Sequence, residues 1–438
     1  MMSLMIIGAI ALAVYLGYKT NYNTGFFCIV FAYLIGCFAL GMSPKQLISQ
    51  WPTSTMFVIL SVSLFYNFAA VNGTLEKLSG SLLYACRKFP GLLPYALFFV
   101  AVILSVMGAA FFTVLAFLAP ITMAICDESK MDKLTGAVAI NCGALAGGNF
   151  PTAALGVVFR GLIETSYESS PSLTSPDTFI TQMKIFGFAI LFSLVLITLF
   201  RLTVKANRNI GKGITFQKPE PFDAKQKVTF QLMILMMIAV LVFPILKMCM
   251  PSNTVISLIS SKIDVGLIAI IFTTIALLLK LAPQKEIIAK VPWNTIIMIA
   301  GAGMLIAVAV EAGTIDQLSG WIGNNVPVFL VPIAFSLVGA AMSFFSSTTG
   351  VVAPALFPLI PALAASTGLN PAVLFSCTVL GAQSSAISPF SSGGSLVLSG
   401  FHGSEEDRTK LFNRLLFLAV PVSVSISTIY NFLVAMIL

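Results

Sequence analysis

Two hydroxyl- and glycine-rich segments are the strongest candidates in this sequence for binding chemistry. The first is Ser346-Ser347-Thr348-Thr349-Gly350, and the second, residues 383–394, combines five serines with Pro389 and two glycines. Proline removes a backbone hydrogen bond and glycine frees the chain, so we expect a helix through the second segment to break. N–H groups and hydroxyls at such a break bind anionic oxygens, and the freed carbonyl oxygens suit a bare sodium ion.

A related segment lies in the first half of the chain. Residues 141–152 align with the second segment at an offset of 238 positions, which pairs Gly143 with Gly381 and Pro151 with Pro389. The sequence therefore predicts a broken helix at equivalent places in the two halves. Paired broken helices of this kind mark the binding site of many secondary transporters.

A second repeat supports a duplicated architecture. Residues 52–80 recur as residues 292–320, with nine identities in 29 positions. Weak self-similarity between the halves of a very apolar chain is typical of transporters that are built from a duplicated unit.

The composition restricts the class of protein. The chain has 438 residues, of which 58% are hydrophobic and 9% are charged, whereas a soluble domain carries about a quarter charged residues. We therefore predict a membrane protein with several spans. The basic residues cluster in loops, where they set topology rather than bind nucleic acid. No pattern resembles a nucleophile–base pair, a phosphate loop or a metal cluster, so an enzyme is not expected.

Apolar segments near the length of a bilayer crossing indicate about ten transmembrane helices in an all-α fold. They are residues 4–18, 25–41, 53–72, 134–160, 181–203, 228–250, 263–281, 293–312, 371–400 and 413–437.

Two longer stretches, about residues 89–127 and 327–366, do not fit as single helices. Small or hydroxyl residues lie near the middle of each, and a proline follows on the return arm at Pro120 and Pro354. These features favour re-entrant helical hairpins, whose non-helical tips are tolerated because protein or a cavity surrounds them. Two spans with a very short turn in each stretch is the alternative.

Loop charge orients the predicted spans. Arg201–Lys227 carries seven basic and two acidic residues, which places it in the cytoplasm. With two hairpins, each half has five spans and the halves are inverted; with two spans per stretch, they would be parallel. The predicted organisation is a first repeat over 1–203, a cytoplasmic basic linker over 204–227 and a second repeat over 228–438. Broken helices at about 134–160 and 371–400 follow the hairpins.

The predicted binding motifs hold no acid and no histidine, although proton-coupled carriers usually need such a relay. Residues 317–404 contain no Asp, Glu, Lys or Arg. This absence favours sodium coupling, or exchange without a cation. Arg160 and Glu311 are the nearest charged residues and lie near predicted span ends, where interfacial charges are ordinary.

The chain resembles the ion-transporter superfamily that includes divalent-anion:sodium symporters, and within it the MatC-type malonate/dicarboxylate carriers. The resemblance depends on two hairpins, each followed by a broken helix, and on residues 346–354 with Ser388-Pro389 and Gly393-Gly394. Hairpin tips of that family typically read Ser-Asn-Thr. Here the second tip keeps its hydroxyls and replaces the asparagine, and the first tip lacks the motif.

This resemblance implies a sodium-coupled importer of a small dicarboxylate of the malonate, succinate or malate type. It also implies two inverted repeats, an elevator mechanism, a homodimer, and a place in the cytoplasmic (inner) membrane of a prokaryote. Na⁺ is the coupling ion, and no other cofactor or metal is expected. An anion exchanger, or a proton-coupled antiporter or efflux carrier of the same superfamily, is the alternative.

The resemblance further implies residues for each ligand on the motifs described above. For substrate binding these are Asn149, Thr152, Ser346, Ser347, Thr348, Ser388, Ser391 and Ser392. For sodium binding they are Gly108, Thr113, Asn141, Gly147, Gly148, Thr349, Ser384 and Ser385.

Overall fold

A computed structural model describes most of the chain, and within the described ranges it contains helices and no strand. The described residues are 2–20, 22–51, 53–85, 90–168, 173–204, 220–250, 253–344, 347–401 and 404–437. Ser346 of the predicted substrate site and most of the predicted linker 204–227 lie outside them.

Helix lengths establish a multi-pass membrane protein. Among the described residues, four helices are long and apolar enough to cross a bilayer, and eight shorter apolar helices accompany them. A crossing takes about 20 apolar residues, and the eight shorter helices fall below this length. The expected number of ten spans therefore stays a prediction.

The described residues of the first half contain ten α-helices. They are α1 (Met2–Thr20), α2 (Thr24–Tyr33), α3 (Pro44–Ser49), α4 (Thr53–Val71), α5 (Thr74–Ala85), α6 (Leu93–Val106), α7 (Phe111–Ser129), α8 (Lys133–Gly148), α9 (Ala154–Glu168) and α10 (Thr178–Thr203).

The second half follows a similar order. Its helices are α11 (Ala224–Cys249), α12 (Thr254–Lys262), α13 (Val265–Leu278), α14 (Gln284–Ala289), α15 (Trp293–Glu311), α16 (Thr314–Asn325), α17 (Val331–Ser343), α18 (Ala353–Leu356), α19 (Ile360–Thr367), α20 (Pro371–Ser384), α21 (Ser392–Ser399), α22 (Glu405–Arg414) and α23 (Val420–Ile437).

Both long apolar stretches are interrupted near their middle. Helix α6 ends at Val106 and α7 begins at Phe111; α17 ends at Ser343, and helical structure resumes at Thr348. The outgoing arms α6 and α17 have 14 and 13 residues, which is about 20 Å at 1.5 Å per residue. The hydrocarbon core is about 30 Å thick, so neither α6 nor α17 alone is long enough to cross it.

Four helices pack in two pairs, and we call them the frame helices: α2 packs on α15, and α13 packs on α4. The crossing of α2 and α15 is close because glycines meet there. A Cβ at Gly301 would lie 2.1 Å from the carbonyl oxygen of Gly25, and a Cβ at Gly25 would lie 2.3 Å from that of Ile297. Small residues let membrane helices approach in this way.

Each hairpin packs its outgoing arm on the broken helix that follows. Helix α6 lies on α8 and α17 lies on α20. A Cβ at Gly143 would lie 2.4 Å from the carbonyl oxygen of Phe98, and one at Gly381 would lie 2.2 Å from that of Ser336. The same contact therefore occurs at positions that are 238 residues apart.

We expect Gly381→Ala to destabilise the protein. Its new Cβ overlaps backbone rather than a flexible side chain, so α17 and α20 must separate, and overpacking of this kind costs about 1–3 kcal/mol. The matched control is Gly187→Ala in α10, where a Cβ meets nothing within 4 Å and alanine is the better helix former. Thermal unfolding of the purified proteins should show a lower midpoint for Gly381→Ala alone. Equal midpoints would contradict this packing.

The two halves interlock beyond the hairpins. Helix α9 packs against the return arm of the second hairpin, where the rings of Phe159 and Phe357 are 5.9 Å apart. Helix α21 packs against α7 of the first hairpin. A bidentate ion pair also joins the halves, because Arg414 donates to both carboxylate oxygens of Asp132 at 2.6 and 3.1 Å. Such charge-assisted forks fix orientation as well as position.

Candidate functional site

Both hairpin tips and both helix breaks meet at one cavity of about 370 Å³, which we call the hairpin cavity. Helix α4 also lines this cavity. The polar or tip residues among its lining are Ser63, Tyr66, Asn67, Gly108, Ala109, Ala110, Thr113, Lys290, Ser343, Ser347, Thr348, Thr349, Ser391, Ser392 and Gly393.

The tip of the first hairpin depends on a glycine. Gly108 has a φ of +92°, in the region that L side chains rarely adopt. The ring of Tyr66 from α4 lies directly against it, and a Cβ at Gly108 would be 2.2 Å from three ring carbons. The first tip therefore contributes backbone and close packing rather than hydroxyls.

The tip of the second hairpin supplies hydroxyls. Ser347 caps the turn that begins at Thr348, because its Oγ accepts a hydrogen bond from Gly350 N at 3.2 Å. Further hydroxyl contacts pair Ser347 with Thr349 at 3.3 Å and Ser343 with Thr348 at 3.4 Å. These contacts are long, so the hydroxyls can turn toward an oxyanion or a cation without loss of a strong partner.

The break in the first half is held by a buried amide network. Asn149 caps α8, and its side chain exchanges two hydrogen bonds with Gln383 at 2.9 and 2.8 Å. Gln182 of α10 donates to the backbone oxygen of Asn149 at 2.7 Å. Asn149 and Gln182 are fully buried, so this network ties the two broken helices to each other and to α10.

The break in the second half is held by serines that bond to backbone. Ser391 Oγ donates to the carbonyl oxygens of Ala386 and Ser388, and Ser388 Oγ accepts from Phe390 N at 3.2 Å. Ser385 Oγ donates to Ala340 O at 2.8 Å, which links this break to the second hairpin.

The structure divides the predicted site residues into two groups. Those that line the hairpin cavity are Ser347, Thr348, Ser391 and Ser392 of the substrate set, with Gly108, Thr113 and Thr349 of the sodium set. Those buried behind it are Asn149, Thr152 and Ser388, with Asn141, Gly147, Gly148, Ser384 and Ser385. Direct contact with a ligand in the cavity is therefore available to the first group.

Two oxygens beside the start of α21 have the chemistry of sodium ligands. Asn141 Oδ1 is buried with no hydrogen-bond partner among the described residues. A Cβ at Gly393 would lie 2.3 Å from this oxygen and 2.3 Å from Ala386 O, so both oxygens border the start of α21. Within the described part of the chain, no cluster of His, Cys, Asp or Glu could hold a metal ion.

The sequence interpretation missed the contribution of α4. Ser63, Tyr66 and Asn67 face the cavity, and Lys290 at the end of α14 is the one charged group among its described lining residues. A polar stripe at helical spacing inside an apolar span was the available signal, since polar side chains in a span usually face a cavity or another helix.

A second cavity of about 540 Å³ lies along the same frame helices and is called the arginine cavity. Arg160, Glu164, Glu168, Asp264 and Glu311 line it. The start of α4 and the end of α15 border this cavity, whereas the rest of α4 and Pro292, the residue directly before α15, border the hairpin cavity. These two helices, which come from the sequence repeat, therefore run in opposite directions between the cavities.

Solved structures share this fold. The YdaH transporter of Alcanivorax borkumensis matches with a TM-score of 0.60 and 14% identity, over 93% of this chain and 88% of that one. MtrF of Neisseria gonorrhoeae, reported with a class of antimetabolite efflux pumps, matches with a TM-score of 0.59 and 13% identity, over 91% and 84% of the two chains. No curated protein is similar enough in sequence to count as a match.

A family comparison addresses the N-terminal third of the chain. Residues 1–148 match the model of the dicarboxylate carrier protein MatC N-terminus. This range includes the first hairpin and all of α8. Together with the shared fold, the match indicates a transporter rather than an enzyme, and it confirms the resemblance to MatC-type carriers over residues 1–148.

Proposed function

We propose that the protein is a secondary active transporter that couples sodium to the uptake of a small dicarboxylate. The observation that carries this proposal is the lining of the hairpin cavity. Hydroxyls of Ser347, Thr348, Thr349 and Ser392 line it, and Lys290 is its one charged group among the described residues. A cavity with donors, a cation and no carboxylate suits an anion.

Sodium coupling is supported by the chemistry behind the cavity. The unpartnered Asn141 Oδ1 and the carbonyl oxygen of Ala386 are the ligand types that a small hard cation takes. They lie at the second helix break, next to the residues that would hold the anion. A cation there would offset the charge of a bound dianion, which gives a physical reason for coupled binding.

The proposed architecture is two inverted repeats with two re-entrant hairpins. Its support is the antiparallel course of α4 and α15 and the recurrence of the glycine contacts of Gly143 and Gly381. In this proposal the hairpin cavity faces the cytoplasm; the supporting observation is that Lys290 lines it, since basic loops are usually cytoplasmic. A homodimer, an elevator motion and a prokaryotic inner membrane belong to the proposal on resemblance alone.

Uptake into proteoliposomes tests this function. Labelled malonate and succinate are offered to the purified protein with an inward sodium gradient, with sodium replaced by choline, and with a proton gradient alone. We expect accumulation above equilibrium in the first condition only, and its collapse when a sodium ionophore is added. Sodium-independent counterflow, or flux that follows the proton gradient, would move the assignment to an exchanger or antiporter.

The second candidate is a proton-coupled efflux carrier. It is favoured by the fold shared with MtrF, which is described with efflux pumps, and by the titratable Glu164, Glu168, Asp264 and Glu311 around the arginine cavity. Three of these carboxylates, all except Asp264, are solvent-exposed, whereas a proton relay usually uses buried acids. The proton-gradient condition of the same experiment decides between the two candidates.

A further inference from the structure

One face of α4 lines the hairpin cavity. Its residues Ile59, Val62, Ser63, Tyr66, Asn67 and Ala70 follow the three- and four-residue spacing of a single helical stripe. The substrate residues predicted from the sequence all belong to the hairpins and helix breaks. A ligand that spans the cavity would therefore meet a second polar surface, on α4.

Tyr66 on this face has an unused hydrogen-bonding group. The residue is 3% exposed, and its hydroxyl has no partner among the described residues. Buried tyrosine hydroxyls usually find a partner. Because the ring is packed against Gly108, the hydroxyl is held at a defined place in the wall of the cavity.

Lys290 also lines the hairpin cavity, and two contacts between α14 and α4 hold it there. Its Nζ donates to Ala70 O at 3.4 Å, and Asn67 Nδ2 donates to Ile287 O at 3.0 Å. Ala70 is one helical turn from Tyr66, so the ammonium group and the hydroxyl lie along the same stripe. The long contact to Ala70 leaves the other donors of the ammonium free to bind an anion.

The repeat has no counterpart of these polar groups in the second half of the chain. At an offset of 240 positions, the second half has Ile306, Ala307 and Gln50 at the places equivalent to Tyr66, Asn67 and Lys290. Helix α15 forms with isoleucine at the place of Tyr66, so a hydroxyl at this position is not required for the helix to form.

We propose that Tyr66 and Lys290 form a second carboxylate subsite, which makes the hairpin cavity selective for dicarboxylates. One carboxylate binds the hydroxyls of the second hairpin tip, and the other accepts hydrogen bonds from the Tyr66 hydroxyl and the Lys290 ammonium. A monocarboxylate would leave this subsite empty. The inference depends on the proposed transport of a small anion.

Binding of labelled malonate to the purified protein, in sodium, tests this subsite. Tyr66→Phe keeps the ring against Gly108, and Lys290→Gln removes the charge; each should raise the Kd for malonate about tenfold, the usual effect of one charge-assisted hydrogen bond. Lys290→Arg should retain most of the affinity. Tyr95→Phe, whose hydroxyl pairs with Thr198, and Lys285→Gln in the same short helix should bind like the wild type.

Competition by propionate distinguishes a binding role of Lys290 from a purely structural one, because a structural role would not change the preference for malonate over propionate. Wild-type protein should prefer malonate to propionate, and Lys290→Gln should reduce that preference by about tenfold because it weakens only the dicarboxylate. Unchanged malonate affinity in Tyr66→Phe and Lys290→Gln, with a wild type that binds and transports, would overturn the subsite alone. A wild type that neither binds nor transports malonate or succinate would overturn the subsite and the proposed function together.

Discussion

Replacement of Gly108 by alanine is expected to abolish transport. The residue has a φ of +92°, and a Cβ there would lie 2.2 Å from the ring of Tyr66. The first hairpin tip must therefore move away from α4, and the geometry of the hairpin cavity is lost. A displacement of about 1 Å at a reaction site can reduce a rate about a hundredfold, and we expect a loss of that order in the initial rate of malonate uptake.

Gly41→Ala is the matched control for this prediction. Gly41 also has a positive φ of +69°, but a Cβ there meets nothing within 4 Å. Both variants carry the backbone strain of a left-handed alanine, about 1–2 kcal/mol, and only Gly108→Ala adds the collision. Uptake by Gly41→Ala within about twofold of wild type would attribute the loss to the tip. Wild-type uptake by Gly108→Ala, or an equal loss in both variants, would contradict the prediction.

Disruption of the amide pair between Asn149 and Gln383 should give the second large effect. Gln383→Leu leaves a donor and an acceptor of Asn149 without partners in a site that is fully buried. Each unsatisfied buried group costs about 1–3 kcal/mol, so we expect a destabilisation of about 2–6 kcal/mol and a much lower yield of folded protein. Thermal unfolding in detergent measures the change.

A double-mutant cycle separates the pair from its surroundings. Asn149→Leu combined with Gln383→Leu removes both polar partners, so it should be less destabilising than the sum of the single variants. Gln317→Leu, at an exposed position, should change stability by no more than about 0.5 kcal/mol. Additive single effects would show that the reciprocal pair does not form. A wild-type melting temperature combined with weaker malonate binding in Asn149→Leu would favour the direct substrate role predicted from the sequence.

The helix breaks could be predicted because their causes are local. Glycine at a positive φ interrupts the first hairpin at Gly108, and proline with adjacent glycine or serine interrupts the broken helices near Pro151 and Pro389. Such chemistry depends on a few neighbouring residues, so sequence alone identifies it. The sequence also predicts that the tips and the breaks meet at one binding site. This prediction depends on the duplicated order of the motifs and not on any single residue.

The partners of the predicted site residues could not be read from the sequence. Asn149 finds Gln383 at a separation of 234 positions, and nothing in the local sequence of either residue indicates that pairing. Tyr66 was overlooked because a tyrosine in an apolar span resembles an ordinary interfacial or packing residue. The sequence used Lys290 only to orient the loops relative to the membrane. Its position beside Ala70 depends on how α14 folds back on α4, which the sequence does not show.

Anion binding within the hairpin cavity is the central element of the proposed function. Protection of a single introduced thiol from chemical modification measures that binding directly. Ser392→Cys places a thiol at the cavity end of α21, and Ser399→Cys places one at the exposed far end of the same helix. Maleimide modification at each position is followed by peptide mass spectrometry, with and without malonate in sodium. We predict that malonate slows modification at position 392, with half-protection near the KM of uptake, and leaves position 399 unchanged. An unaltered rate at position 392 in saturating malonate would contradict the account.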